Sequence, residues 1–302
     1  YNGEIGNGLV DGQIYRTPAP VNGLGSFGSV QVAVSDYASC ALSATGAVKS
    51  WGYGGRGALG HGAFTNSATP VNVSGLTTIT KIEAGEDHFC ALASGGAVYC
   101  WGWNGVGQLG DGTLTSKAEP TVVPGVSAID IGIGGGRSTC AVLADHSVKC
   151  WGSNSRGQLG NGTMTNSASP VAVSGLVDAE EIAVSYLSAC ARRSTGDLAC
   201  WGFGGRGALG NGMTTDSVTP TPVLGGGGYL SLQGSGGGGG TYCAQTATET
   251  RCWGYNYYKQ TDVPELHIDP DGDGVANGDD AFPLDPAETL DTDNDGTGNN
   301  AD

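Results

Sequence analysis

Positive charge is scarce in this chain: Lys and Arg together number 13, against 29 Asp and Glu, in 302 residues. A chain so poor in cations is a poor match for nucleic-acid phosphates, whose neutralisation needs Lys and Arg. Charge of either sign is sparse, at 14% of residues where a soluble domain usually carries about 25%. Long apolar runs are missing, and no stretch reaches the roughly 18 residues of a membrane-spanning helix. Two common catalytic signatures are absent, the Gly-Xaa-Ser-Xaa-Gly nucleophile elbow and the Gly-Lys-Ser/Thr phosphate loop. His61, His88, His146 and His267 are scattered and form no zinc-type ligand set with the cysteines. The chain is therefore read as a non-enzyme. What it has in abundance is glycine, 56 residues. Each interior Gly costs a helix roughly 1 kcal/mol relative to Ala, so long helices are not expected. The glycines do not recur every third residue, which excludes collagen, and 38% hydrophobic composition argues against wholesale disorder.

The acidity is concentrated at one end. Residues 1–258 hold 12 Lys/Arg and 16 Asp/Glu (net −4), whereas residues 259–302 hold one Lys and 13 Asp/Glu (net −12). These are two kinds of polymer, joined by a linker at 259–268.

The first part is a repeat. Trp-Gly occurs at Trp51, Trp101, Trp151 and Trp201, Leu-Gly at Leu59, Leu109, Leu159 and Leu209, and a closing Pro at Pro70, Pro120, Pro170 and Pro220, all at 50-residue spacing. Whole units run over 25–74, 75–124, 125–174 and 175–224, with half-units at 1–24 and 225–258. Phe89 to Leu92 and Ala97 to Cys100 flank Ser94-Gly95-Gly96, which reads as a hairpin. About four short strands per unit, repeated radially, predicts an all-β propeller in which neighbouring units make the core.

Ala84-Gly85-Glu86-Asp87-His88-Phe89-Cys90-Ala91-Leu92, Val98 to Asn104 and Gly107-Gln108-Leu109-Gly110-Asp111-Gly112-Thr113 resemble the regulator-of-chromosome-condensation repeat, and the resemblance covers residues 1–258. It implies a propeller usually of seven blades, of which about five equivalents are present here. The expectation is a fragment lacking about two upstream units, its two halves forming the sides of a ring-closing blade; a closed five-bladed ring is the alternative.

Eight of the nine cysteines form close pairs, Cys90/Cys100, Cys140/Cys150, Cys190/Cys200 and Cys243/Cys252. Each pair flanks a hairpin turn, so its members should face each other across two antiparallel strands and form disulfides. Cys40 meets Ser50 at the partner position and is left as an alkylatable thiol. Disulfides imply an oxidising compartment and hence secretion or surface display. Buried unpaired cysteines are the alternative.

The acidic tail carries a ladder. Asp269, Asp271, Asp273, Asn277 and Asp280 take positions 1, 3, 5, 9 and 12 of a calcium loop, with the Val275 carbonyl at 7. Asp291, Asp293, Asp295, Thr297, Asn299 and Asp302 repeat the frame 22 residues later. Pro264, Pro283 and Pro286 oppose the flanking helices of an EF-hand. The segment, about 269–302, instead resembles thrombospondin type 3 repeats of bacterial surface proteins, which implies chain wrapped around Ca²⁺.

Remaining candidates lie in the repeat. His88 follows Glu86 and Asp87, but its equivalents Ala38, Ser138 and Ser188 argue for a structural hydrogen bond over catalysis. Tyr53, Trp103, Phe203 and Tyr255 occupy one often-aromatic position, either a binding surface (with Tyr257 and Tyr258) or inter-blade packing. Arg56, Arg156 and Arg206 recur at one phase that Val106 breaks, either a partner contact or solvated turns. The reading is an extracellular, monomeric propeller without a membrane span that binds a protein or surface glycan, with a calcium-stiffened spacer. The resemblance also implies two alternatives: a secreted inhibitor of a hydrolase such as a β-lactamase, or nucleotide exchange on a small GTPase, which disulfides and a calcium tail disfavour.

Overall fold

A computed structural model describes residues 3–10, 17–235 and 240–256; the calcium ladder of 269–302, with Tyr257 and Tyr258, lies outside them. The repeat folds into successive antiparallel sheets, each strand hydrogen-bonded to the next in sequence order. Blade one comprises β1 (Ser29–Val34), β2 (Ala38–Ser43), β3 (Val48–Gly52) and β4 (Ser67–Asn72). Blade two comprises β5 (Ile79–Ala84), β6 (His88–Ala93), β7 (Val98–Gly102) and β8 (Lys117–Val122). Blade three comprises β9 (Ala128–Gly134), β10 (Ser138–Leu143), β11 (Val148–Gly152) and β12 (Ser167–Ala172). Blade four comprises β13 (Ala179–Val184), β14 (Ser188–Arg193), β15 (Leu198–Gly202) and β16 (Ser217–Pro222). The half-unit supplies β17 (Ser231–Gly234), β18 (Thr241–Gln245) and β19 (Thr250–Gly254). Among the described residues no N-terminal strand joins that last sheet.

First strands of successive blades pack side by side and line the axis. The fourth strands are outer edges, and Pro70, Pro120, Pro170 and Pro220 lie on them. An edge is where a residue without an N–H can sit, and it blunts pairing with another chain. The sheets stack through four apolar clusters, one at each junction between consecutive blades.

Two devices join the blades, the first at three of the four junctions, since the Trp253 Nε1 at the last one is buried without a partner among the described residues. The loop after a third strand reaches across to the next blade, where the indole N–H of the repeat Trp donates to its backbone: Trp101 to Ala58 O at 2.9 Å, Trp151 to Gln108 O at 3.0 Å, Trp201 to Gln158 O at 3.0 Å. The N-terminal half supplies the same loop to blade one, with Trp51 donating to Glu4 O at 3.0 Å. The approach requires glycine: a Cβ on Gly110, at φ +71°, would sit 2.7 Å from Trp151 Nε1. The second device was not foreseen. One first-strand side chain per blade bonds the next blade's first-strand backbone. Gln31 donates to Ile82 O and accepts from Ile82 N, and Lys81 donates to Ile131 O. Asp130 accepts from Ile182 N, and Glu181 from Leu232 N. One face of β1 has no such neighbour among the described residues: Val32 is 56% exposed, whereas Ile82, Ile182 and Leu232 at the same place are 1–3% exposed.

Cys90, Cys140, Cys190 and Cys243 lie directly opposite Cys100, Cys150, Cys200 and Cys252, and each pair is bonded. Cys40 faces Ser50 in the same register and is a free, buried thiol. The expectation of an alkylatable Cys40 needs correction. With no exposed surface, and with burial pushing its thiol well above the usual range, it is inert until the blade opens. Ser50→Cys should complete a fifth bridge, read as a loss of 2 Da in the intact mass, and add up to about 3 kcal/mol.

Candidate binding rim

The aromatic and arginine positions singled out in the sequence meet at one end of the propeller. That end is formed by the turns between first and second strands and by the long loops between third and fourth strands. Each loop arginine reaches over the aromatic ring of the following blade. Arg56 lies 5.4 Å from the Trp103 ring centroid, Arg156 lies 5.6 Å from Phe203, and Arg206 lies 4.1 Å from Tyr255. Guanidinium over an aromatic face is attractive, worth roughly 0.5–1 kcal/mol at an exposed site. The two irregularities of the pattern explain one another: where Val106 replaces the arginine, Ser153 replaces the ring it would have covered. Arg56, Arg156 and Arg206 are thus exposed turn residues that also cover a neighbouring ring. Tyr53 packs edge-on against Tyr37, with centroids 6.2 Å apart.

The densest part of the rim spans blades one to three. Both Arg56 and Arg137 lie over the Trp103 ring, the latter 4.3 Å from its centroid. Arg137 grips Glu86 with both arms, Nε to Oε2 at 2.8 Å and Nη2 to Oε1 at 2.9 Å. Arg56 pairs with Asp87, a carboxylate only 3% exposed. Burial raises the Asp87 pKa, and the Arg56 charge opposes that rise. Tyr37, Tyr53, Arg56, Glu86, Asp87 and Arg137 enclose a cleft of about 310 Å³. Arg137 and Arg206, the two arginines closest to their rings, both have left-handed backbones (φ 66° and 63°), as do Thr78 and His146 in turns at the opposite end. Arg137 was missed in the sequence because its repeat equivalents are Tyr37, Asp87 and Leu187. The Arg–ring pairs left a trace there, a 47-residue interval from Arg56 to Trp103 and from Arg156 to Phe203.

His88 is fully buried, and its Nε2 lies 3.1 Å from Thr139 Oγ1 of the next blade. Burial, assisted by the Arg137 charge, lowers its pKa from 6.5 to about 3. This is the structural hydrogen bond that the repeat implied. It also makes His88 an acid-sensitive part of the fold. Its folded pKa lies below the unfolded one, so its contribution is complete above pH 6.5 and is lost as pH falls toward 3. Between pH 7 and pH 5 the loss should be about 2 kcal/mol. Urea unfolding at the two pH values measures it, and His88→Gln should remove that slope. Among the described residues no group of three or more His, Cys, Asp or Glu is placed to share a cation.

Two sequence patterns of the regulator of chromosome condensation (RCC1) repeat match the chain, one at residues 30–58, 79–108 and 128–158, the other at 45–92, 95–142 and 145–191. No curated protein matches it. Among solved structures, human WBSCR16 is similar with a TM-score of 0.65 and 23% identity, over 75% of this chain and 61% of that one. Prp20p of Saccharomyces cerevisiae, whose structure was described with its binding to Gsp1p and histones, is similar with a TM-score of 0.63 and 22% identity, over 74% of this chain and 57% of that one. The match thus spans less than two thirds of the length of either relative. At such identity the likeness establishes the propeller fold.

Proposed function

This chain carries RCC1 repeats folded as propeller blades, and from that premise we propose that it is an extracellular protein-binding module whose rim around Trp103 holds the partner. The observation that carries the reading is the Arg56–Trp103–Arg137 cluster beside Tyr37 and Tyr53. Trp, Tyr and Arg are the residue types that dominate binding hot spots, and here they are gathered and pre-oriented by ion pairs. Prp20p is described as binding other proteins, which agrees with a propeller acting as a docking surface. The extracellular setting rests on the disulfide in each of four successive hairpins. Nucleotide exchange on a small GTPase fits the fold but not such a compartment. The tail reading rests on residue spacing alone: Asp269 to Asp280 and Asp291 to Asp302 would wrap Ca²⁺ and stiffen a spacer. Calorimetric titration of the full chain should show at least two calcium sites, and no heat at millimolar calcium removes the spacer. To test the binding role, tagged protein is cross-linked on intact producing cells. Trp103→Ala with Arg137→Ala should reduce the cross-linked partner at least tenfold, a loss of about 1.4 kcal/mol or more; an undiminished yield rejects the rim.

A further inference from the structure

One position of the third strands sends its side chain beyond its own sheet. Its occupants are Lys49, Tyr99, Lys149, Ala199 and Arg251, each directly opposite an alanine of the second strand. Three of the five are cations with one task. Each donates to the carbonyl of a glycine in the loop that leads into its own sheet. Lys49 Nζ lies 3.3 Å from Gly23 O, Lys149 Nζ lies 3.1 Å from Gly125 O, and Arg251 Nη1 donates to Gly225 O. Arg251 is also paired with Glu249, two residues before it, at 2.7 Å. In blade two the place is filled by Tyr99, packed against the apolar cluster of its junction. Blade four breaks the series. Its occupant is Ala199, and the corresponding glycine is Gly175. Among the described residues no group donates to the Gly175 carbonyl.

Where the other sheets carry a long side chain, blade four has a cleft of about 470 Å³, within the size range of ligand sites. Ala199 lies on its lining, Leu176 and Pro222 give it apolar walls, and Gly175 and Asp197 border it with acceptors. Asp197 stands two residues before Ala199, as Glu249 stands before Arg251. It accepts from Thr195 Oγ1 at 2.8 Å and has no ion pair among the described residues. Arg193 also borders the cleft, but Asp178 engages its Nε at 2.9 and 3.1 Å. The cleft thus keeps the same two acceptors that hold Arg251 in the last sheet, a glycine carbonyl and a carboxylate, and lacks the cation.

We propose that the blade-four cleft is a slot for a basic side chain, lysine or arginine, presented by a protein partner. Lys and Arg lay their methylene stems along apolar surface and keep their charged heads at polar groups, which matches walls of Leu176 and Pro222 ending at Gly175 O and Asp197. The chain itself shows what fits, because its own Lys149 and Arg251 fill the same place in the two neighbouring sheets. The slot lies on blade four, away from the Trp103 rim, and adds a second contact point that does not depend on it.

The test titrates the isotope-labelled full chain with the capped peptide acetyl-Gly-Gly-Lys-Gly-Gly-amide and with its arginine counterpart. Both should shift the amide resonances of Gly175, Asp197 and Ala199, with half-saturation at about millimolar peptide. A norleucine counterpart, which keeps the stem without the charge, should bind ~10-fold more weakly. Asp197→Asn should weaken the basic peptides about threefold. Ala199→Lys places the chain's own cation in the slot, as in blades one and three, so it should abolish the shifts and raise the melting temperature. The proposal is overturned by no shift up to about 50 mM peptide, by an equal response to the norleucine peptide, or by shifts that persist in Ala199→Lys. A lower melting temperature for Ala199→Lys would overturn it too, since the slot would then not fit the side chain. None of these outcomes touches cross-linking of an outside partner through the Trp103 rim, so the two readings fail separately.

Discussion

Trp101→Ala should lower the unfolding free energy by about 4 kcal/mol, whereas Trp103→Ala, two residues along, should cost no more than about 1–2 kcal/mol. The difference lies in what each indole touches. Trp101 is fully buried, stacked on Phe89 with centroids 5.9 Å apart, and donates to Ala58 O of the preceding blade's loop. Truncation opens a cavity at a blade junction and leaves the Ala58 carbonyl without that donor. Trp103 lies at the rim, and its loss removes two guanidinium contacts from rings that water can reach. Urea midpoints for the two variants against the parent, at unchanged m value, measure the contrast. Equal losses would mean that blades are not joined through the repeat tryptophans.

Asn104→Ala should be nearly as damaging, at about 3 kcal/mol. Asn104 is fully buried and pins the whole long loop: its Oδ1 accepts from Leu109 N at 3.0 Å, and its Nδ2 donates to Thr113 O at 3.0 Å and Thr115 O at 3.2 Å. Alanine would leave an N–H and two carbonyls unmet, each a cost of about 1–3 kcal/mol before relaxation. Asn154 makes the same bonds in blade three. Blades one and four carry Gly54 and Gly204 instead, and there the loop closes down: a Cβ on Gly54 would lie 1.9 Å from Thr65 O. Gly54→Asn should therefore destabilise rather than import the network. Thermal denaturation of both variants tests the pair, with both changes in the same direction.

The period of the sequence made the blades legible because the chemistry that makes a blade is the same each time. Trp, Leu-Gly, the hairpin cysteines and the edge proline repeat as residue types. Contacts between blades are less visible, since they join positions about one repeat apart and chemically unlike residues fill them. Gln31, Lys81, Asp130 and Glu181 share one task on the inner strands, yet no motif search groups an amide, an ammonium and two carboxylates. The arginine and aromatic sets were each visible, but not that they are two halves of one stack. Arg137 had no periodic signal, because it replaces Tyr37, Asp87 and Leu187 at a turn whose backbone carries it at positive φ. Cys40 was legible as unpaired, whereas its complete burial belongs to packing that the sequence does not display.

The central claim, that the Trp103 rim is the binding face, is tested most directly by placing a photo-cross-linking amino acid at Tyr53, on that rim, or at Gly95, in an open hairpin turn at the opposite end. Irradiation on intact producing cells, followed by mass analysis, should yield one cross-linked outside protein from Tyr53 and none from Gly95. Cross-links from Gly95 in equal or greater yield would contradict the account.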